Sequence, residues 1–332
     1  MKSRSRSRAC QTIALALSWL AWPVMGASPA WQPERNVELI IPTAAGSGSD
    51  RTGRLIQSLM QDKKLVERPV TVVNKPGGGG TIGLVYLTQQ TDAGHHFLVT
   101  SPTLLTNHIL GKTTVTYRDL TPVAVIGADF VVFSVRADSP IKTGADLVAR
   151  LKKDAGGVNF ALANALGNHN HIAIGEVARA VGADIKALKV VVFNSSGQVA
   201  TSLLGGHVDV IASPASQVVQ HAESEKMRII AVASGERLSG ALALVPTWKE
   251  QGVPAVSANW RNVMAAKGTS AAQLAYWDGV FARLVQQPEW KKAADATLTE
   301  NIYLNSADTR KQLDQLYEQL TQTLRALGLA KL

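Results

Sequence analysis

The 332-residue chain is 46% hydrophobic and 18% charged, which suits a protein with a buried core and excludes a disordered, collagenous or small disulfide-stapled one. Its formal charge of +9 drops to +5 once the first 30 residues are set aside, and the remaining 30 basic and 25 acidic residues are interspersed, as in Asp62, Lys63 and Lys64. No basic stripe for nucleic acid emerges, and one cysteine, Cys10, precludes an internal disulfide.

The first element in chain order is an export signal. Lys2, Arg4, Arg6 and Arg8 form a basic start, an uncharged stretch runs from Ile13 to Met25, and small residues from Gly26 to Ala30 offer a cleavage site. The stretch is shorter than the ~20 residues of a spanning helix and is broken by Pro23, so removal is expected instead of anchoring. Arg8 stands two residues before Cys10, where a lipid-modified cysteine needs small apolar neighbours.

Short β-branched runs then alternate with helical periodicity. Val37 to Ile41 reads as a strand stopped by Pro42, and Arg51 to Leu65 as a helix with Leu55, Ile56, Leu59 and Met60 on one face. Val70 to Val73 is the second strand, Thr81 to Gln90 a helix, and Phe97 to Thr100 the third strand, a grammar that implies right-handed crossovers and a mainly parallel sheet. The middle of the chain repeats it. Thr143 with Asp146 marks a capped helix start. Val158 to Leu162 is a strand, Asn170 to Val181 a helix, and Val190 to Phe193, Gly197 to Leu204 and Val208 to Ala212 follow as strand, helix and strand. The carboxyl end is helical over Ala271 to Leu284 and Ala307 to Leu327. The fold class is therefore α/β, with two sheets.

Four loops of small polar residues follow strands: Thr43 to Ser49, Ser101 to Thr103, Ala163 to Asn168, and Asn194 to Gly197. Each sits at a strand's carboxyl end and most feed a helix, which aims helix N–H groups at one crevice and makes an anion site. Each loop alone is explained by turn and cap chemistry; the four together point to a site. A dinucleotide site is excluded, because Gly46 and Gly48 are followed by Arg51 in place of a third glycine, and the second strand ends in Asn74 instead of an acid. A phosphate-binding lysine motif and a serine nucleophile elbow are both missing. His169 and His171 lack a clear third ligand and read as a polar helix start, His95 and His96 as a turn, and Gly77 to Gly80 as close chain packing.

Val37 through Arg51 and Val73 through Gly83, followed by Leu204 to Asp209, Ile230 to Arg237 and Val245 to Gly252, closely resemble the tripartite tricarboxylate transporter receptors, the Bug family of periplasmic solute-binding proteins. The motifs occur in family order over nearly all of the mature chain. The resemblance implies a type II periplasmic-binding-protein-like fold: two α/β domains joined by two crossover strands, near Phe130 to Val135 and Ile229 to Ala233, with the ligand cleft between them. Domain 1 is then 31–130 plus 234–332, domain 2 is 131–233, and residues 1–30 are the signal. It also implies that a carboxylate is held largely by backbone N–H groups and water from two loops, one of Thr43, Ala44, Ala45, Gly46, Ser47, Gly48, Ser49 and Asp50, the other of Ser101, Pro102 and Thr103. Ligand choice falls to Asn164, Ala165, Asn168 and His169, to Asn194, Ser195, Ser196 and Gly197, and to Ser213. Phe193, Asn194 and Ser195 stand where the family often has Tyr-Lys-Gly, and His95 and His96 where it often has Gly-Tyr.

The expected function is a non-catalytic, monomeric periplasmic receptor that captures a small di- or tricarboxylate and delivers it to a membrane permease, with no cofactor, metal or nucleic acid. Two alternatives use the same pocket: a ligand sensor acting on a two-component kinase, and an exported enzyme with Asp50 or His169 as acid or base. For Asp50, a structural role near the helix start is the favoured reading.

Overall fold

Strand β1 (Val37–Ile41) is buried along most of its length and is ended by Pro42. The computed structural model describes residues 31–91, 93–163 and 165–332; the expected export signal and Asn164 lie outside them. Helix α1 (Gly48–Asp62) turns Ile56, Leu59 and Met60 inward, as their spacing requires, while Leu55 stays half-exposed. β2 (Val70–Asn74), α2 (Thr81–Thr88), β3 (His96–Thr100) and α3 (Thr103–Ile109) follow.

The next strand, β4 (Leu120–Arg136), is 17 residues long, roughly 55 Å if extended. Beyond it come α4 (Gly144–Lys153), β5 (Asn159–Ala163), α5 (His169–Ala180), β6 (Lys189–Phe193), α6 (Ser196–Leu204), β7 (Val210–Pro214), α7 (Val219–Glu223) and β8 (Met227–Val232). The chain closes with β9 (Ala258–Ala266), α8 (Ala271–Leu284), α9 (Pro288–Ala296) and α10 (Ser306–Ala326). The expected capping box at α4 is present: Thr143 Oγ1 accepts from Asp146 N–H, and Asp146 accepts from Thr143 N–H.

The strands run in the order β2-β1-β3-β9-β4-β7-β5-β6, with β8 also on β4. β4 serves both halves of this sheet. Its residues Leu120 to Phe130 pair with β9, and Val131 to Arg136 pair with β7 and β8. The sheet is mixed instead of mainly parallel. The βαβ units give the parallel pairs β1–β2, β1–β3, β5–β6 and β5–β7, but every pairing made by β4 and β9 is antiparallel. Strand periodicity reports burial, not direction, so these long-range pairings were invisible to it.

Three apolar clusters hold the layers together. One packs α1 and α8 on β1 and β3; a second packs α4 and α5 on β5, β7 and β8. The third contains side chains from both halves, among them Ile40 and Leu98 with Ile172 and Leu203, and it includes Leu313, Leu320 and Leu324 of α10. That helix lies against β4, α3 and α5 together.

The first crossing of the chain, where β4 passes from its pairing with β9 to its pairing with β7, falls at Phe130 and Val131. The second falls later than Ile229 to Ala233. β8 pairs only with the second-half portion of β4, and Trp248, Val253 and Ala255 still belong to the core of Val131 and Phe133. Trp248 is fully buried with its ring 5.0 Å from that of Phe133, edge to face. The chain passes back only between Ser257, whose N–H donates to Ala233 C=O, and the first residue of β9.

Candidate functional site

The loop after β1 is built around Asp50. Its carboxylate is 2% exposed and faces inward: Oδ2 accepts from Gly46 N–H (2.8 Å) and Arg54 Nε (3.0 Å), and Oδ1 accepts from Asn74 Nδ2 (2.9 Å). The Arg54 guanidinium first, then the Gly46 N–H and the Asn74 amide, hold the carboxyl at about 2. Asn74 also donates to Thr43 C=O, tying the loop to the end of β2. Ser47 is the N-cap of α1; its Oγ accepts from Asp50 N–H and lies 2.6 Å from Thr43 Oγ1. Asp50 is therefore the loop's internal brace, with its oxygens turned away from the solvent side.

With the cap and brace in place, Gly48 and Ser49 occupy the first turn of α1, where backbone N–H groups have no partner within the helix. Ser49 opens onto a cleft of about 410 Å³ at the carboxyl ends of β1 and β3, while Gly48 lines a different cavity. Thr43, Ala44 and Ser49 line it on one side, Ser101 and Thr103 on another, and their hydroxyls converge; Ser101 Oγ lies 3.1 Å from Thr103 Oγ1. No lysine, arginine, aspartate or glutamate is among its lining residues. The lining also includes Gly77, Gly79 and Gly80, which composition alone assigned to packing. Both readings hold. These glycines adopt φ of 121°, 65° and 101°, and Asn107 Nδ2 donates to Gly79 C=O at 2.9 Å. Their place directly after β2, beside the β1 loop, was the signal that placed them in the lining of this cleft.

The loop's conformation rests on Gly46, at φ 80°, while Gly48 has an ordinary φ and only the Arg51 side chain near the place a Cβ would take. Gly46→Val is accordingly expected to lose about 1 to 3 kcal/mol from backbone strain alone. Gly48→Val should stay within about 1 kcal/mol of the parent, since its backbone needs no left-handed conformation. Paired calorimetric melts measure the difference, and equal losses would show that φ at Gly46 is not what constrains the loop.

The second-half loops lie elsewhere. Asn168 is the N-cap of α5: its Oδ1 accepts from His171 N–H, and its Nδ2 donates to Ala163 C=O. Ala165 is exposed beside it. His169 turns into a small buried space with Pro102, Glu176, Ser257 and Gln319, and burial pushes its imidazole down to about 4, with opposing contributions from Asp129 and Arg261. His171 Nδ1 accepts from Gly167 N–H, and burial holds it at about 4 as well. Both rings are thus neutral near pH 7, and no group of three metal-ligating side chains occurs among the described residues.

Asn194, Ser195 and Gly197 line an open depression of about 840 Å³ with Gln198 and His207. Ser195 caps α6, accepting from Gln198 N–H, while Gln198 Oε1 accepts from Asn194 N–H. Ser196 opens α6, half-exposed. Ser213, at the end of β7, is buried, with Oγ unpartnered among the described residues. The four predicted loops therefore occupy three places: the β1 and β3 loops share one cleft, the α6 start borders a second, and the α5 start is folded inward against Pro102.

Comparison with known proteins agrees with this architecture. The family model of the tripartite tricarboxylate transporter family receptor matches residues 53–329. Protein BugT of Bordetella pertussis is 30% identical over 262 residues, 77% of each chain. A solved TctC solute-binding protein from Polaromonas superposes with a TM-score of 0.77 at 26% identity, covering 88% of this chain and 99% of that one. The R. palustris protein Rpa4515, solved with adipate, superposes with a TM-score of 0.71 at 22% identity over 90% of this chain and 99% of that one. With a periplasmic-binding-protein-like α/β fold and a family match over most of its length, the chain belongs to the tripartite tricarboxylate transporter receptor family.

Proposed function

We propose that the protein is an exported receptor that captures a small di- or tricarboxylate in the cleft after β1 and β3 and delivers it to the permease of a tripartite tricarboxylate transporter. The observation that carries this reading is the chemistry of the lining. Hydroxyls of Thr43, Ser49, Ser101 and Thr103 surround the first turn of a 15-residue helix, with no fixed charge among the lining residues. Partial positive charge from helix N–H groups attracts a carboxylate without a counter-ion and adds hydrogen bonds directed at its oxygens. The adipate held by Rpa4515, a chain of the same fold, supports the ligand class. In this reading the halves are 31–130 with 258–332, and 131–257. Asn194 to Gln198 and Ala165 close over the ligand and set its identity. The signal over residues 1–30 directs export.

A neutral site has a distinctive response to salt. Helix-terminus interactions act over the first turn, whereas an open lysine or arginine site is screened over ~8 Å at physiological ionic strength. A thermal-shift panel of di- and tricarboxylates should find at least one that stabilises the protein, by about 2.7 kcal/mol at 100 times its dissociation constant. Its calorimetric affinity should then change less than about threefold between low and high salt. A steep salt dependence would assign the ligand to a cation, and a panel in which no acid stabilises the protein would sink the proposal.

A further inference from the structure

A second cavity, of about 460 Å³, lies where the start of α1, the β4–β9 ladder, the turn after β7 and helix α9 meet, and none of its lining residues lines the loop cleft. Its polar part is a cross-strand cluster. Asp129 and Asn259 face each other in the ladder, and Asn259 Nδ2 lies 3.0 and 3.1 Å from the two Asp129 oxygens. Arg261 Nη2 is 3.1 Å from Asp129 Oδ1, and its Nη1 donates to Asn259 C=O at 3.3 Å. A guanidinium carries five N–H donors, so Arg261 keeps donors for a further acceptor. Arg51 also lines the cavity, with one nitrogen tied to Gly46 C=O. Two cations against one carboxylate leave the lining one positive charge in excess.

Leu55, Trp290 and Leu298 give the wall an apolar side, and Thr52, Ser216, Gln217, Thr297 and Thr299 complete it. Leu298 is held at φ 52°. It follows the α9 C-cap, Thr297; its N–H donates to Asp295 C=O and that of Thr299 to Ala294 C=O, the paired bonds that usually place glycine at this position. A leucine here accepts backbone strain and supplies a side chain to the cavity.

We infer that this cavity binds an organic monoanion with an apolar body, its carboxylate on Arg261 and its chain or ring against Leu55, Trp290 and Leu298. With Asp129 offsetting one of the two arginines, the lining carries charge for one carboxylate, and a second carboxylate of a short dicarboxylate such as those proposed for the loop cleft would lack a counter-charge. The site and its ligand class are independent of that proposal.

Octanoate is the probe, with succinate as the comparison, titrated by calorimetry into the full mature chain. Octanoate should bind saturably. Ala293→Phe, which fills the cavity without touching its charges, should abolish that binding. Arg261→Gln, which keeps an amide donor for Asp129, should weaken it about tenfold. Ser101→Phe, which fills the loop cleft and lies outside the second cavity, should retain it. Absence of saturable octanoate binding to the folded parent would overturn the inference, as would equal affinity in the parent and in Ala293→Phe. Loss in Ser101→Phe with retention in Ala293→Phe would also overturn it, placing the acid in the loop cleft. Should Ala293→Phe fail to fold, Leu298→Gly relieves the backbone while removing part of the wall; unchanged octanoate affinity in that variant would equally refute the site.

Discussion

Glu176→Gln is expected to raise stability by about 2 to 3 kcal/mol above pH 7 and to leave it unchanged near pH 4. Glu176 is 3% exposed on α5, where it faces α10. Its Oε1 accepts from Gln319 Nε2 at 2.7 Å, and its Oε2 has no partner among the described residues. Burial pushes the carboxyl up to about 7 from its ordinary 4.5, against smaller opposing effects of Gln319, Arg179 and Ser257. A folded-state pKa above the unfolded one means that the folded form holds the proton more tightly. That contribution is complete below about 4.5 and is lost as pH rises toward 7, at about 1.4 kcal/mol for each tenfold difference in proton affinity between the two states. Glutamine keeps the bond to Gln319 and has no proton to lose. His169 and His171 run the other way: with folded values near 4, they stabilise above about 6.5 and withdraw that stability as pH falls toward 4. Between about 4.5 and 6.5 two histidines oppose one glutamate, so acid destabilises the parent, and Glu176→Gln should steepen that slope. Urea melts at about pH 4, 6 and 8 measure all three points. A variant equally stable to the parent at the alkaline end would show that Glu176 is already ionised there at no cost.

The largest effect on ligand binding is expected from Asp50→Ala. The change leaves Gly46 N–H, Arg54 and the Asn74 amide without their shared acceptor and frees the loop from both α1 and β2. Binding in the loop cleft depends on N–H groups held in position, so affinity for the stabilising carboxylate should fall at least about a hundredfold, as when buried charge-assisted bonds are broken together. Ser47→Ala removes one cap bond and should cost about 1 kcal/mol of stability. Calorimetric titration with hydrogen exchange at Gly46 reads both parts. Retained affinity with fast exchange at Gly46 would separate loop order from binding and remove Asp50 from the account of the site.

Local patterns in the sequence located most of the elements for identifiable reasons. The α1 face, the Thr143–Asp146 box and the boundaries of α8 (Ala271–Leu284) follow from local periodicity and caps, which a short window contains in full. The strand β9 and the full length of β4 do not, because their buried runs carry no alternation and their partners lie far off in the chain, none nearer than Ser134 to Ile211. The late second crossing escaped for the same reason: nothing near Ala233 distinguishes a strand that stays in its half from one that leaves it. At the site, the strand-end position of Thr43 to Ser49 and Ser101 to Thr103 was legible from turn chemistry. The inward aim of Asp50 and His169 was not, since each depends on residues from other segments, Asn74 of β2 in one case and Ser257 and Gln319 in the other.

The apolar cluster that joins Ile40 and Leu98 to Ile172 and Leu203 through α10 bears on how the protein comes into being. Neither half owns that cluster, so neither can complete its interior while the other is unmade. Because α10 follows every other described element in chain order, both halves must wait for it, and the nascent protein stays unfinished until that helix has left the ribosome. Under the export proposed above this delay is useful, since translocation requires a polypeptide that has not yet locked into its final form.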